Sequence, residues 1–246
     1  MKLLDLFCCA GGASMGYHRA GFEVTGVDIK DQPSYPFKFI KEDVLKVLRN
    51  KDFLDQFDVI HASPPCQGYS KATKNDSVYV HYSQGKQTPK LIEPVREALL
   101  ETKKYYIIEN VAGAKEYLIK PFFLTGYMFD LPLERRRYFE TNFSVIQPIA
   151  KQKRGYSKEY AEKHGIDYRD LSVTGKSRRK GSIDVWRRVM DMEWAGRGWE
   201  LTEAIPPAYT QYIEHLYLYA FYWHDTCLDI ASQHTLLLIQ QALVRQ

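Results

Sequence analysis

Lys2-Leu3-Leu4-Asp5-Leu6-Phe7-Cys8-Cys9-Ala10-Gly11-Gly12 runs from an apolar stretch into a glycine pair. The apolar part predicts a strand over Lys2–Phe7, and the segment from Gly12 predicts a helix. Glycines at such a junction let the backbone pass close to a ligand at the carboxyl edge of a sheet. Working outward, Glu23–Asp28, Phe57–Ala62 and Tyr105–Glu109 read as further strands, and a second helix begins near Leu91. Arg136–Phe143 is one more strand. This alternation, over about the first 145 residues, predicts βαβ units and a mainly parallel sheet.

The chain has 246 residues, 45% of them hydrophobic and 26% charged, the composition of an ordinary globular protein. Its apolar runs fall short of a membrane span, and Met1–Leu6 lacks a signal-peptide layout. Cys8, Cys9, Cys66 and Cys227 show neither metal-ligand spacing nor a disulfide framework, so no metal and a reducing cytoplasm are expected. The net charge of +4 is uneven: Lys151 to Arg188 holds twelve Lys/Arg against five Asp/Glu, a surplus of +7. A basic segment on a faintly acidic body suits a localised polyanion contact, and equally a solvated loop.

Gly68 to Pro89 is a long polar stretch without a period, and loops of this length are lids or disordered. The basic region 148–182 is a candidate second module after a first domain at 1–147, with 183–246 returning to that domain. Ile183–Met192 is expected to be helical, and Pro206-Pro207 to open another helix. The apolar tail from His215 to Val244 either folds back or makes a dimer contact, with a monomer expected.

Two groups of residues bear on chemistry. Asp28 ends the second strand, where a carboxylate accepts ribose hydroxyls, and Asp43 follows Phe39–Ile40, where it meets an adenine amino group. Alone, this end fits a nicotinamide cofactor, S-adenosylmethionine or a glycine turn with no ligand. The second group begins at Ala62-Ser63-Pro64-Pro65-Cys66-Gln67-Gly68-Tyr69-Ser70, a cysteine beyond a strand with its approach stiffened by two prolines. A lone cysteine is more often a small buried hydrophobe than a nucleophile. Ile107-Ile108-Glu109-Asn110-Val111 then ends another strand with a carboxylate, and neighbouring parallel strands deliver both side chains to one crevice.

Asp5-Leu6-Phe7 with Ala10-Gly11-Gly12, Pro64-Pro65-Cys66-Gln67, Glu109-Asn110-Val111, arginines 135–137 and Ala204-Ile205-Pro206-Pro207-Ala208-Tyr209 occur in order. Together they resemble the ordered motifs of the DNA cytosine-5 methyltransferases, the compact phage-type members in particular, over roughly residues 3 to 213. The resemblance implies a Rossmann-like α/β methyltransferase fold, with the basic 148–182 region as a small target-recognition part. It implies transfer of a methyl group from S-adenosylmethionine to carbon 5 of a flipped cytosine in double-stranded DNA, releasing S-adenosylhomocysteine.

In that reading Cys66 is the nucleophile and Glu109 the acid at ring nitrogen 3, while Arg135 and Arg137 occupy the Gln-x-Arg-x-Arg arginines, the first holding ring carbonyl and carboxylate. The cofactor would meet Phe7, Ala10, Gly11, Gly12, Asp28, Ile29, Asp43, Val44 and Pro65. DNA would meet Gln67, Ser70, Lys71, Lys74 and Lys86 beside a closing Gly68–Pro89 lid, and Arg178, Arg179 and Lys180. The chain departs from the pattern at Cys9, Leu133 and Thr202-Glu203, which stand for a glycine, a glutamine and Gly-Asn. The transfer-RNA branch of the family would share every catalytic residue, but its Cys-Phe-Thr signature is absent. A non-catalytic DNA-binding protein or a nicotinamide enzyme would leave Cys66, Glu109 and the late Pro-Pro motif unexplained together.

Overall fold

In a computed structural model of the chain, residues 1–69, 89–150, 155–173 and 182–224 are described, with 216–224 as backbone only. Strands β1 (Lys2–Leu6), β2 (Glu23–Asp28), β3 (Lys38–Lys41), β4 (Val59–Ala62), β5 (Tyr105–Val111), β6 (Phe122–Leu124) and β7 (Arg137–Thr141) form one sheet in the order β3-β2-β1-β4-β5-β7-β6. The first five are parallel to one another, and β7 runs antiparallel to both β5 and β6. The fold is α/β with a Rossmann-like, mostly parallel sheet. Its order turns between β1 and β4, the place where such sheets open a crevice at their carboxyl ends.

Why these runs are strands is visible in their burial. Every residue of β4 is buried, as are Leu3 to Leu6 of β1, because both faces of the sheet are covered. Alternation then divides the side chains. Leu4, Leu6, Ile60, Ala62, Tyr106 and Ile108 join one core, and Leu3, Val59 and Ile107 join the other.

Of the first four helices in chain order, α1 (Gly12–Arg19) belongs to the opposite face, whereas α2 (Val44–Val47), α3 (Lys51–Leu54) and α4 (Ile92–Thr102) close the first core. Arg96 of α4 makes a two-pronged pair with buried Glu140 of β7, both nitrogens at 2.7 Å. Beyond the sheet lie α5 (Tyr156–Lys163), α6 (Ile183–Met190), α7 (Gly198–Glu203) and α8 (Pro207–His224).

Helices α1 and α8 cover the second face and touch so closely that glycine is required. A β-carbon on Gly16 would run into the Pro207 carbonyl and the Thr210 hydroxyl. The Thr210 hydroxyl in turn donates to the Ala13 carbonyl at 2.8 Å. A third core joins Leu171, Val173, Trp186, Met190 and Leu201 to Ala10 and Leu133, so segments 155–173 and 182–204 pack on the glycine-turn side of the sheet.

The observed elements depart from expectation in several places, among them strand β3 and the short helices α2, α3 and α7, which were not anticipated. Phe57 lies in a turn before β4, its amide donating to the Leu54 carbonyl at 3.0 Å. The three-residue β6 was not anticipated, and the basic region contains helix α5. The Gly68–Pro89 stretch from Ser70 to Thr88, the tail from 225 to 246, and Lys71, Lys74, Lys86, Arg178, Arg179 and Lys180 lie outside the described residues.

Candidate active site

The carboxyl ends of β1, β2, β4 and β5 open on one cavity of about 770 Å³. Its first end is the turn after β1. Phe7 (φ 61°) and Cys9 (φ 43°) both adopt left-handed backbone, a conformation held by the Cys8 amide on the Val27 carbonyl at 3.1 Å and the Cys9 amide on Asp28 Oδ2 at 3.2 Å. Thus Cys9, although not glycine, keeps a glycine-like backbone where the family pattern has one.

Asp28 also accepts the Lys30 amide, on Oδ1 at 2.9 Å. Phe7, Gly12, Asp28, Ile29, Asp43, Val44 and Pro65 all line the cavity. Ala10 and Gly11 are not among the residues that line the cavity. Ala10 is buried, and its carbonyl accepts the Trp194 indole at 2.8 Å. Gly11 (φ 82°) faces the Tyr35 ring, which a β-carbon there would crowd at 3.0 Å. The freedom of that glycine serves packing over the turn.

Asp43 lines the cavity while its Oδ1 caps α2, accepting the Leu45 amide at 2.7 Å and the Lys46 amide at 3.2 Å. Lys30, Gln32 and Trp199, which no motif contains, complete this end, together with Asp5 of the first motif and Glu203. Gln32 is buried and its Oε1 has no hydrogen-bond partner among the described residues. Burial holds the Glu203 carboxyl above its ordinary range, with Lys30 opposing and Asp28 reinforcing. No local pattern marks Gln32 or Trp199, because each reaches the cavity only through the tertiary fold.

The donor set suits S-adenosylmethionine. Carboxylates of Asp28, Asp43 and Glu203 face a space that a cationic ligand with ribose hydroxyls could fill, and Ile29, 62% exposed, offers an apolar plate for a base. Gln32 Oε1 supplies a buried acceptor still in need of a donor.

The other end carries Cys66, Gln67, Glu109 and Arg137. Pro64 and Pro65 lead β4 into a single 3-10 turn, Cys66–Gly68, and the Pro64 carbonyl accepts Asn110 Nδ2 at 2.8 Å. Asn110 therefore ties the Cys66 loop to the end of β5, beside Glu109. Glu109 is buried, and its Oε1 lies 3.1 Å from Arg137 Nε, at ion-pair distance but not aligned as a hydrogen bond. Burial pushes the Glu109 carboxyl up, while Arg137, the Ser63 hydroxyl and Arg135 pull it down. Burial likewise pushes the Cys66 thiol up, the Glu109 charge adds to this, and Arg137 opposes it.

Arg135 is held differently from Arg137. Its guanidinium donates to backbone carbonyls of Val173 (2.7 Å), Leu201 (3.0 Å), Thr202 (2.8 Å) and Ala204 (2.9 Å), and it does not line the cavity. It rises from a strained turn (φ 33°) before β7, whereas Arg137 is the first residue of that strand, in register with Val111 beside Glu109. The carboxylate therefore meets the second arginine. Arg136 is exposed and pairs with Glu134 at 2.9 Å, and Leu133 is buried in the third core. Among the described residues no group of three His, Cys, Asp or Glu could hold a metal ion. No described helix is long and apolar enough to cross a membrane.

A mostly parallel sheet with one antiparallel strand next to its edge, and a cysteine and a buried carboxyl beside a nucleoside-type crevice, defines a methyltransferase-like α/β protein. A family model for C-5 cytosine-specific DNA methylases matches residues 1–123, half of the chain, and the chain belongs to that family. Among its relatives is the type II methyltransferase M.FnuDI of Fusobacterium nucleatum, 28% identical over 218 residues, covering 75% of this chain and 60% of that protein. Another is M.NgoPII of Neisseria gonorrhoeae, 26% identical over 168 residues, covering 58% and 48%. The chain thus spans about half to three-fifths of the length of these relatives. The fold resembles that of Schizosaccharomyces pombe Dnmt2 methyltransferase (TM-score 0.56, 15% identity, 90% and 99% of the two chains). It also resembles that of Entamoeba histolytica EhMeth (TM-score 0.55, 13% identity, 93% and 99%).

Proposed function

We propose that the chain transfers a methyl group from S-adenosylmethionine to carbon 5 of cytosine in double-stranded DNA, with Cys66 as nucleophile. The observation that carries this reading is the meeting of Cys66 with buried, Arg137-paired Glu109 on one cavity whose far end suits the cofactor.

Carbon 5 of cytosine is too weak a nucleophile on its own. Addition of the Cys66 thiolate at carbon 6 pushes the ring π electrons toward carbon 5 and nitrogen 3. Glu109, whose carboxyl burial shifts toward its protonated form, would hold a proton at nitrogen 3 and so limit the charge that develops there. The two groups help each other: a neutral Glu109 removes the charge that raises the thiol, so thiolate and carboxylic acid form the productive pair. Arg137 keeps the carboxyl in place and offers a permanent cation to the ring oxygen. When bound, S-adenosylmethionine supplies the electrophilic methyl group, held by Phe7, Asp28, Ile29, Asp43 and Glu203. Loss of the carbon 5 proton to a base and expulsion of the Cys66 sulfur restore the aromatic ring. A duplex cytosine reaches this cavity only by leaving the stack, at a cost of a few kcal/mol.

The test is tritiated methyl transfer to duplex DNA and to transfer RNA, with Cys66→Ala as control. Transfer to DNA that disappears in the variant supports the reading. Transfer to RNA alone assigns the other branch, and retention of activity by Cys66→Ala contradicts the proposed nucleophile.

A further inference from the structure

Gln32 lines the cavity with a side-chain oxygen that the fold leaves unbonded. The residue is 6% exposed, and among the described residues its Oε1 has no hydrogen-bond partner. Its backbone, by contrast, is fastened: the Gln32 carbonyl accepts the Tyr35 amide at 2.9 Å and closes a turn. Buried polar atoms are nearly always bonded, so an unbonded one in the wall of a ligand cavity calls for a partner. The last torsion of a glutamine is broad, and with no bond to break the oxygen can turn toward a ligand.

The turn is held on one face of the sheet. Gly26 of β2 lacks a β-carbon where the Tyr35 ring lies, and the Tyr35 hydroxyl is 2.7 Å from Ser14 Oγ of α1. Gly26 alternates with Val27 and so points, like Val24, toward the core that α1 covers. Ser34 accepts the Gly196 amide at 3.2 Å and donates to Glu200 Oε1 of α7 at 3.0 Å. Gln32 therefore meets the cavity from the side of α1 and α7. Asp43 meets it from the start of α2, a helix of the other core, and Asp28 from the end of β2.

S-adenosylmethionine carries its hydrogen-bonding groups in a matching succession: the adenine amino group, the ribose hydroxyls, then the ammonium and carboxylate of its amino-acid end. With adenine at Asp43 and Ile29 and ribose at Asp28, the amino-acid end falls to the side of α1 and α7. We propose that Gln32 is a specificity residue for the methyl donor, its side-chain oxygen accepting a hydrogen bond from the ammonium of the amino-acid end. An ammonium has three hydrogens, so Glu203 of α7, which also lines the cavity, can take another. The inference rests on the S-adenosylmethionine part of the reading above.

The experiment compares, by titration calorimetry, S-adenosylhomocysteine with methylthioadenosine, which keeps the adenine, ribose and sulfur but has no amino-acid end. Gln32→Met, apolar and of similar length, should bind S-adenosylhomocysteine roughly tenfold more weakly, the weight of one hydrogen bond to a charged group, and methylthioadenosine as the parent chain does. Both ligands need the same fold, so the ratio of their affinities within one variant separates a lost contact from a damaged structure. Gln32→Glu, which keeps acceptors and loses the N–H donors, should retain the parent's ratio. Equal losses for the two ligands in Gln32→Met, or no loss, overturn the inference. A fall of the ratio in Gln32→Glu overturns it too, because the amide would then serve the carboxylate. In each of these cases S-adenosylhomocysteine still binds the parent chain and the cofactor reading stands. Absence of that binding overturns the cofactor reading and this inference with it.

Discussion

Two arginines two residues apart, Arg135 and Arg137, do different work. Arg137 is one side of an ion pair with Glu109, whereas Arg135 fastens four backbone carbonyls of the 173–204 region to the approach of β7. Replacing Arg135 with Ala leaves those buried carbonyls short of a charged donor, at about 1–3 kcal/mol for each left unpaired. The expected result is a melting temperature lower by several degrees. Arg137→Ala should instead cut methyl transfer at least a hundredfold with a much smaller change in melting. The reverse pattern, in paired calorimetry and transfer assays, would show the roles to be exchanged. Cys66 and Glu109 were legible in the sequence because each follows an apolar strand, and parallel neighbours bring their ends together. The division between the arginines was not legible, since it depends on a left-handed turn at Arg135 and on carbonyls nearly forty to seventy residues away.

Strands β1, β2, β4 and β5 could be read from the sequence because burial on both faces makes them largely apolar, with the charged residues near their ends or at single positions. Strand β6 could not, since three residues carry no period, and α5 was hidden by the charge of its segment. The glycine turn was legible as a turn but not in its use: Gly11 accommodates Tyr35, and Gly12 lets α1 approach the Ile205 carbonyl. Contact between α1 and α8 supplies the prediction at this scale. Gly16→Ala forces a methyl group into the Pro207 carbonyl and the Thr210 hydroxyl, so α8 must shift. Overpacking of this kind costs about 1–3 kcal/mol, and more where backbone must move. Chemical denaturation should show a loss of at least that size; an unchanged midpoint would mean that α1 and α8 separate freely.

For the whole molecule, buried ionisable groups beneath the crevice tie stability to pH. Burial raises the pKa of Asp5 to about 7, the Ser14 bond opposing and the Asp28 and Glu109 charges adding. Between about pH 4 and pH 7 the folded chain therefore keeps a proton that the unfolded chain has lost, and this group makes stability fall as pH rises. His61 acts oppositely: its pKa falls to about 3, so stability is lost as pH drops from 6.5 toward 3. Asp5→Asn removes the first contribution. Relative to the parent chain, its melting temperature should climb between pH 4 and pH 7 and level off above. A difference independent of pH would contradict a protonated Asp5.

The most direct measurement of the central claim is trapping on a duplex containing 5-fluorocytosine, in the presence of S-adenosylmethionine. Fluorine at carbon 5 cannot leave as the proton does, so the Cys66–carbon 6 bond should persist. The account predicts a denaturant-resistant protein–DNA adduct whose peptide map places the base on Cys66, absent from Cys66→Ala. Methyl transfer to ordinary duplex DNA without any such adduct on the fluorinated one would contradict it.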